Sequence, residues 1–184
     1  MNKVEPIRDP KKIQELKLYL YEWNEKYYVM WLLGSNIGLR ISDIVQIRVK
    51  DIARKDRLHF YDQKRQKSRD YPVNRHLRKE IQEYIAAHHL KQDDYLVQSR
   101  KGENQPLSRI QAYCVLRTAA KACGINSSIG THTMRKTFGY WHYKQHRDIA
   151  VLQYLFGHSA PSVTLRYIGI EEELVEPLLD DFYI

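Results

Sequence analysis

Two arginines, a lysine, two histidines and a tyrosine stand in distinctive sequence contexts along this chain of 184 residues. Guanidinium and ammonium groups bind phosphate oxygens, and a guanidinium can do so through two parallel hydrogen bonds. A phenol with a pKa of about 10 is a poor nucleophile at neutral pH, so it needs a nearby base and positive charge to attack a phosphodiester. As a set, these residues predict attack by a tyrosine on a phosphodiester. They are Arg40, Lys64, His132, Arg135, His158 and Tyr167.

Each context also has a purely structural interpretation. Arg40 can pair with Asp43 three residues later, and the charged run around Lys64 is typical of a solvated turn. A histidine and an arginine three residues apart can simply share an exposed helix face. The contexts are Gly-Leu-Arg-Ile-Ser-Asp (38–43), Gln-Lys-Arg-Gln-Lys-Ser-Arg (63–69), Thr-His-Thr-Met-Arg-Lys-Thr-Phe (131–138), Leu-Phe-Gly-His-Ser (155–159) and Thr-Leu-Arg-Tyr (164–167).

The charge of the chain is unevenly distributed. The net charge is +8, yet residues 171–184 contain aspartates and glutamates and no lysine or arginine. The body of the protein is therefore more basic than the whole, and a basic body indicates a polyanionic partner such as nucleic acid. A protein that is basic without such a partner is the alternative.

Cysteine usage and hydropathy exclude several classes of protein. Cys114 and Cys123 are the only cysteines, and no cysteine or histidine spacing fits a zinc site. We expect both thiols to be reduced and buried in a cytosolic protein. The apolar stretch from Tyr27 to Leu33 is too short to cross a bilayer, so we expect no membrane partner.

The pattern of apolar and capping residues predicts a mainly helical α+β fold. Asp9-Pro10, Asn74 and Ser108 are typical of helix starts. Further helices are expected over about 26–36, 132–144, 148–156 and 171–181, and around Tyr167. Between residues 49 and 73 the pattern changes to three short β-type runs, 49–53, 58–61 and 69–73, which predict a small three-stranded antiparallel sheet.

The combination and order of these contexts resemble the catalytic domain of the tyrosine recombinases, the phage integrase family, from about residue 10 to the end. The chain shares Gly-Leu-Arg-Ile-Ser, His-x-x-Arg followed by Thr-Phe, Gly-His-Ser, and a tyrosine nine residues after that histidine. Asp43 stands where the family commonly has Glu, Met134 where it has Leu, and Lys136 where it has a second His. The resemblance implies the tyrosine recombinase catalytic-domain fold.

The resemblance also implies a role for each residue. Tyr167 would attack DNA to give a 3′-phosphotyrosyl link, with no metal and no ATP, while the arginines and histidines stabilise the phosphate and Asp43 supports Arg40. A hairpin lysine would protonate the departing 5′-oxygen; alignment on Tyr71-Pro72-Val73 favours Lys64, with Lys67 as the second candidate. DNA-binding residues would be Arg65, Lys67, Arg69 and Lys136.

The resemblance further predicts domain organisation and partners. We expect residues 1–184 to form one catalytic domain without the N-terminal core-binding domain that most members carry, acting on double-stranded DNA in the cytoplasm, near the nucleoid. The chain is then either a short member that consists of the catalytic domain or a fragment of a longer integrase. The acidic tail, 171–184, has an apolar stripe at helical spacing. It would dock either on a neighbouring protomer of a tetramer or on its own core. The alternative functions are a catalytically silent DNA-binding accessory factor and a type IB topoisomerase.

Overall fold

The computed structural model describes residues 4–53, 56–62, 67–171, 173, 179–180 and 182–183. Within these ranges nearly all the regular structure is helical, with one hairpin between the fourth and fifth helices. In chain order the elements are α1 Pro10–Trp23, α2 Glu25–Ile37, α3 Ile41–Ile44, α4 Val49–Ile52, β1 Arg57–Asp62, β2 Lys67–Pro72, α5 Arg75–Ala87, α6 Arg109–Ala122, α7 Thr133–His146, α8 Ile149–Phe156 and α9 Pro161–Ile168.

Three helices begin where their capping residues predict. The Asp9 side chain accepts a hydrogen bond from the Lys11 amide at the start of α1, with Pro10 at the first helical position. Asn74 and Ser108 cap α5 and α6 in the same way. Each cap satisfies an amide that the helix itself leaves without a partner, so the predicted starts of these helices are confirmed.

The sheet has two strands, and the prediction of three was wrong. β1 pairs with β2 in antiparallel register from Arg57 opposite Pro72 to Asp62 opposite Lys67. The expected first strand is instead α4, in which the Asp51 carboxylate accepts from the Arg48 amide at 2.8 Å. The amides of Val49 and Lys50 donate to the loop that follows α5. Those donors are therefore not available to β1, and the β-branched side chains contribute to the core from a helical turn.

A large core joins every element from α1 to α7. We define it by buried residues such as Leu20, Leu33, Ile44, Leu58 and Leu116, each almost fully inaccessible to solvent. Helix α2 passes through its centre and packs against α1, α5 and α7. The approach to α7 is close, because a Cβ added at Gly34 would lie 2.6 Å from the Met134 Cβ.

A separate small cluster lies between α7, α8 and α9. Among the described residues its buried members are Tyr140, Leu152, Phe156, Ile168 and Ile170. Gly139 allows α9 to approach α7, since a Cβ there would lie 2.6 Å from Ile168 Cγ2. The small cluster therefore fixes the position of α9 relative to α7.

The segment before α1, residues 4–9, runs across both ends of this arrangement. The Ile7 amide donates to Thr137 Oγ1 and the Trp141 indole donates to the Ile7 carbonyl, both at 3.0 Å. Arg8 donates to the Gly169 carbonyl at 3.0 Å, just after α9. The segment is thus joined to α7 and to the turn that follows α9.

Two expectations from the sequence need separate comment. Cys114 is exposed and Cys123 is half-buried at the end of α6, so the prediction of two buried thiols was wrong for Cys114. It lies on the solvent side of an amphipathic helix whose Val115 and Leu116 face the core. The predicted helix over 171–181 falls largely outside the described residues.

Candidate active site

Arg40 is positioned by the sharp end of α2. Gly38 adopts a left-handed conformation, with φ of 73°, that terminates the helix, and Leu39 is buried behind it. A Cβ at position 38 would strike the Phe138 ring. Arg40 then occupies the N-cap of α3, partly exposed, with a guanidinium nitrogen 3.9 Å from the buried Asp43 carboxylate. The pairing that the sequence suggested is therefore present in the fold.

Helix α7 presents two of the predicted residues from its first turn. His132 is its exposed N-cap residue, and Arg135, one turn later, is only 4% exposed. The Arg135 guanidinium donates to the carbonyls of Gly38 and Phe156, the latter at 3.1 Å, and lies 4.2 Å from the centre of the Phe156 ring. One side chain thus connects the end of α2 to the end of α8.

His158 follows the left-handed Gly157 that ends α8. Its Nδ1 lies 3.1 Å from the Thr164 hydroxyl, which is fully buried in α9. This contact fixes the imidazole against the helix that carries the tyrosine. Sequence reasoning used Thr164 only as part of a motif and missed this role, although the position of the residue within Thr-x-x-Tyr was the available signal.

Tyr167 lies in the last turn of α9 and points towards the start of α7. Its hydroxyl is 3.2 Å from His132 Nδ1. Its ring makes edge contacts with the rings of His158 and Phe156, at centroid distances of 5.0 and 5.4 Å. The phenol is therefore held among aromatic rings with its oxygen beside a possible base.

The electrostatic environment of the phenol contains opposing effects. Burial raises the pKa of Tyr167 above its ordinary value, whereas the charges of Arg135 and Arg40, and a hydrogen bond from Arg135, lower it. The raising effect dominates, so the resting side chain is a neutral phenol at physiological pH. Attack on phosphorus consequently requires a group that removes its proton, and the His132 imidazole is within hydrogen-bonding distance.

A cleft of about 560 Å³ opens beside Arg40 and His132. Its other walls come from the start of α3 and the first turns of α6, including the exposed Ile110 and Tyr113. Arg109 adds a further positive charge to this rim. The cleft gives an extended anionic ligand access to the guanidinium and imidazole groups.

Five of the six predicted catalytic residues thus converge on one place, from elements up to 127 positions apart in the chain (Arg40 to Tyr167). Lys64 and Arg65 lie outside the described residues. Lys67 and Arg69 lie in β2. Lys136, expected to contact DNA, is only 6% exposed, with its Nζ 5.1 Å from the centre of the Tyr167 ring.

Two structural observations concern other kinds of site. Within the described parts of the chain, histidine, cysteine, aspartate and glutamate side chains form no group of three or more suited to hold a metal ion. None of the described helices combines the length and the apolar character needed to cross a membrane.

Comparison with known proteins agrees with this geometry. Residues 10–173 match the phage integrase family. The chain belongs to the phage integrase family. A probable integrase/recombinase from Bacillus subtilis (strain 168), YoeC, is 47% identical over 173 residues, which cover 94% of this chain and 93% of that protein. The chain is thus a tyrosine recombinase, an enzyme of the DNA strand-transferase class, and the predicted function is confirmed at that level. Neither alternative function gains support from the relatives.

Solved structures confirm the catalytic-domain fold of the recombinase. The crystal structure of XerA recombinase matches with a TM-score of 0.77 at 16% identity, covering 98% of this chain and 67% of that one. XerH site-specific recombinase, bound to its palindromic difH substrate in a post-cleavage complex, matches with a TM-score of 0.76 at 15% identity. The chain of 184 residues spans 53% of the length of the XerH chain.

Proposed function

We propose that this recombinase cuts and rejoins double-stranded DNA at specific sites through a covalent link between Tyr167 and a 3′-phosphate. The observation that carries the proposal is the position of the Tyr167 hydroxyl, 3.2 Å from His132 Nδ1. Arg40 and Arg135 are near enough to lower the pKa of this phenol. A nucleophile, a base and two guanidinium groups are thereby assembled in one chain before DNA arrives.

Proton movement defines the first step. With its proton on Nε2, His132 accepts the phenolic proton at Nδ1 as the Tyr167 oxygen bonds to phosphorus. The bond from phosphorus to the 5′-oxygen breaks, and that oxygen leaves as a hydroxyl after receiving a proton from Lys64. Arg40, Arg135 and His158 stabilise charge on the non-bridging oxygens. Attack by a 5′-hydroxyl of a second duplex reverses the step and regenerates the phenol.

Arg135 has two roles, since it binds the phosphate and also holds parts of the fold together. Two of its donors engage the carbonyls of Gly38 and Phe156, which fixes the plane of the guanidinium. A planar guanidinium presents its N–H groups in a rigid fork that matches the geometry of phosphate oxygens. The Asp43 carboxylate, 3.9 Å from a guanidinium nitrogen of Arg40, restrains that arginine by charge attraction. Preorganised donors of this kind stabilise developing charge without reorganising during the reaction.

The wider assembly belongs to the same proposal. Residues 1–184 act as one catalytic domain on duplex DNA in the cytoplasm, with Arg65, Lys67 and Arg69 supporting DNA binding and Asp43 supporting Arg40. The protein acts as a DNA-bound tetramer, and the C-terminal segment, 171–184, docks either on a neighbouring protomer or on its own core, where Glu173 pairs with Lys144. XerH was solved on its difH DNA, and the high basic charge of this chain favours the same kind of partner.

The direct test is capture of the covalent intermediate. The substrate is DNA flanking the coding region, searched for inverted repeats and nicked near each candidate site so that the released fragment diffuses away. We expect a protein–DNA adduct on a denaturing gel from the native protein and none from Tyr167→Phe. Comparable DNA binding by that variant shows that only the chemistry is lost. An adduct of undiminished yield with Tyr167→Phe contradicts the proposal.

The identity of the proton donor has its own experiment. Lys64→Ala and Lys67→Ala are compared on ordinary DNA and on DNA with a sulfur in place of the 5′-bridging oxygen, a leaving group that needs no proton. If Lys64 is the donor, its loss slows cleavage of ordinary DNA by about 10²–10⁴-fold, and the sulfur substrate restores the rate. Rescue of Lys67→Ala alone assigns the role to Lys67.

A further inference from the structure

Lys136 occupies an unusual place for a lysine. It follows Arg135 directly and lies one helical turn after His132, so α7 carries all three towards α9. The side chain is 6% exposed, and its Nζ lies 5.1 Å from the centre of the Tyr167 ring. Lysine is among the residue types least often buried to this extent, which indicates that the local environment compensates the charge.

We infer that Lys136 is a positioning residue for the nucleophile, whose ammonium group holds the Tyr167 ring and favours its ionised form. The inference rests on the proposed function, because it assigns a use to the tyrosine as nucleophile. A cation within about 6 Å of an aromatic centroid is attracted to the ring, most strongly when both are shielded from water. A phenolate ring carries negative charge, so the attraction increases when the proton leaves.

Lys136 and the two arginines act on different parts of the Tyr167 side chain. The arginines act on the phenol oxygen, through charge and a hydrogen bond, whereas Lys136 contacts the ring. Phe156 and His158 pack against the same ring in edge-to-face contacts. The ionisable groups that face Tyr167 from the elements packed against it are Arg40, His132, Arg135, Lys136 and His158.

A second lysine on α7 provides a matched control. Lys144 lies eight residues later, with its Nζ 5.8 Å from the centre of the Tyr140 ring. Its side chain is 39% exposed and pairs with Glu173. The same kind of contact, on the same helix, therefore exists over a tyrosine that is not the nucleophile.

The first measurement is the rate of adduct formation at saturating DNA as a function of pH. Lys136→Met keeps an unbranched side chain that is one heavy atom shorter and removes its charge, whereas Lys136→Arg keeps the charge. We expect Lys136→Met to react about three- to thirtyfold more slowly near neutral pH, the range that a cation–π contact supports. Its rise in rate with pH is displaced to higher pH, Lys136→Arg recovers part of the rate, and Lys144→Met matches the native protein.

The second measurement needs no DNA. A trifluorotyrosine incorporated at position 167 gives ¹⁹F signals that report on this residue alone, and its phenol is acidic enough to titrate before the protein unfolds in alkali. We expect Lys136→Met to move this titration to higher pH and Lys144→Met to leave it in place. If Lys136→Met does not fold, as judged by circular dichroism, Lys136→Gln takes its place.

The outcomes separate the two proposals. An unchanged titration together with an unchanged rate, with weaker DNA binding that depends less steeply on salt, overturns the inference and makes Lys136 a phosphate contact. An unchanged titration with a slower rate also overturns it. Failure of the native protein to form any adduct defeats the proposed function instead, whereas the fluorine titration still decides whether Lys136 acts on Tyr167.

Discussion

The two halves of the active site are held in place by buried apolar clusters of very different size. Arg40, His132 and Arg135 come from elements that build the large core, which draws on every element from α1 to α7. Tyr167 comes from α9 and His158 from the turn between α8 and α9, two helices that the small cluster holds. The described residues of that cluster bury five apolar side chains. The groups that bind phosphate are therefore firmly fixed, and the nucleophile is attached through a smaller buried surface.

The contacts that join these halves include specific hydrogen bonds. Arg135 reaches from the large core to the Phe156 carbonyl, and the Tyr71 hydroxyl donates from the hairpin to the Leu155 carbonyl at 3.2 Å. Further junctions are the contact of His132 with the Tyr167 hydroxyl and the close packing of α9 against Gly139. Local stability follows buried apolar contact, so we expect α9 to open at lower free energy than α2. Movement of the tyrosine is thereby separated from unfolding of the domain.

The largest effect should come from removing the arginine that joins both halves. Arg135→Lys keeps a positive charge but loses the planar fork, so we expect strand cleavage to fall about a hundredfold to a thousandfold. The carbonyls of Gly38 and Phe156 also lose a partner, which lowers the free energy of unfolding by about 1–3 kcal/mol. Single-turnover cleavage and urea unfolding measure the two effects. Arg75→Lys, an exposed change at the start of α5, is the control and should alter neither.

The comparison is tested most directly by the same deletion in each half. Leu33→Ala in the large core and Leu152→Ala in the small cluster each remove a fully buried side chain, at a cost of about 2–5 kcal/mol. We expect Leu152→Ala to slow cleavage and to accelerate hydrogen exchange in α9 while α2 stays protected. Leu33→Ala should lower global stability and leave the cleavage rate of the folded protein nearly unchanged. Equal losses of cleavage rate in both variants would show that the halves do not differ.

Two glycines at close helix contacts extend the same test. Gly139→Ala places a Cβ 2.6 Å from Ile168 and 2.9 Å from Phe156, which pushes α9 away from α7. Gly34→Ala produces an equally close contact with Met134. Each should cost about 1–3 kcal/mol, but only Gly139→Ala should reduce adduct formation beyond the loss of folded protein. Thermal unfolding and single-turnover kinetics distinguish the two results.

The smallest predicted effect is a loss of folding stability at alkaline pH, caused by a tyrosine in the large core. Burial raises the pKa of Tyr84 to about 12, and its hydroxyl donates to the Leu96 carbonyl at 3.0 Å. Since the folded value lies above the unfolded one, this contribution is complete below about pH 10 and is lost as pH rises towards 12. We expect about 1.4 kcal/mol to be lost at pH 11. Tyr84→Phe should show a smaller decline between pH 9 and 11 in urea unfolding, and an identical decline would contradict the assignment.

Much of the fold and of this site could be predicted from the sequence, because the signals lie in short stretches of neighbouring residues. Asp9, Asn74 and Ser108 carry the capping chemistry that starts three helices, and the structure confirms them. The motifs around Arg40, Arg135 and His158 predicted which residues would converge. Family resemblance supplied the arrangement in space, because spacing along the chain does not determine which helices pack together.

The parts that could not be predicted depend on distant partners. Val49–Ile52 has β-type residues, but its amides bond to the loop after α5, and no local pattern reveals that choice. Lys136 has the polarity of a surface residue, and its burial results from the packing of α9 against α7. The contact between His158 and Thr164 likewise exists only once the turn after α8 is folded.

The path of residues 4–9 has a mechanical consequence. Ile7 is bonded to Thr137 and Trp141 within the helix that begins at His132, and Arg8 is bonded to the turn two residues beyond Tyr167. A load applied to the chain ahead of residue 4, by a fused tag, a surface tether or a bound protein, would be transmitted to the nucleophile and its base together. A force applied at residues 4–9 therefore acts directly on the active site. Immobilising the protein through this segment should reduce the rate of strand cleavage more than attachment through the exposed face of α5.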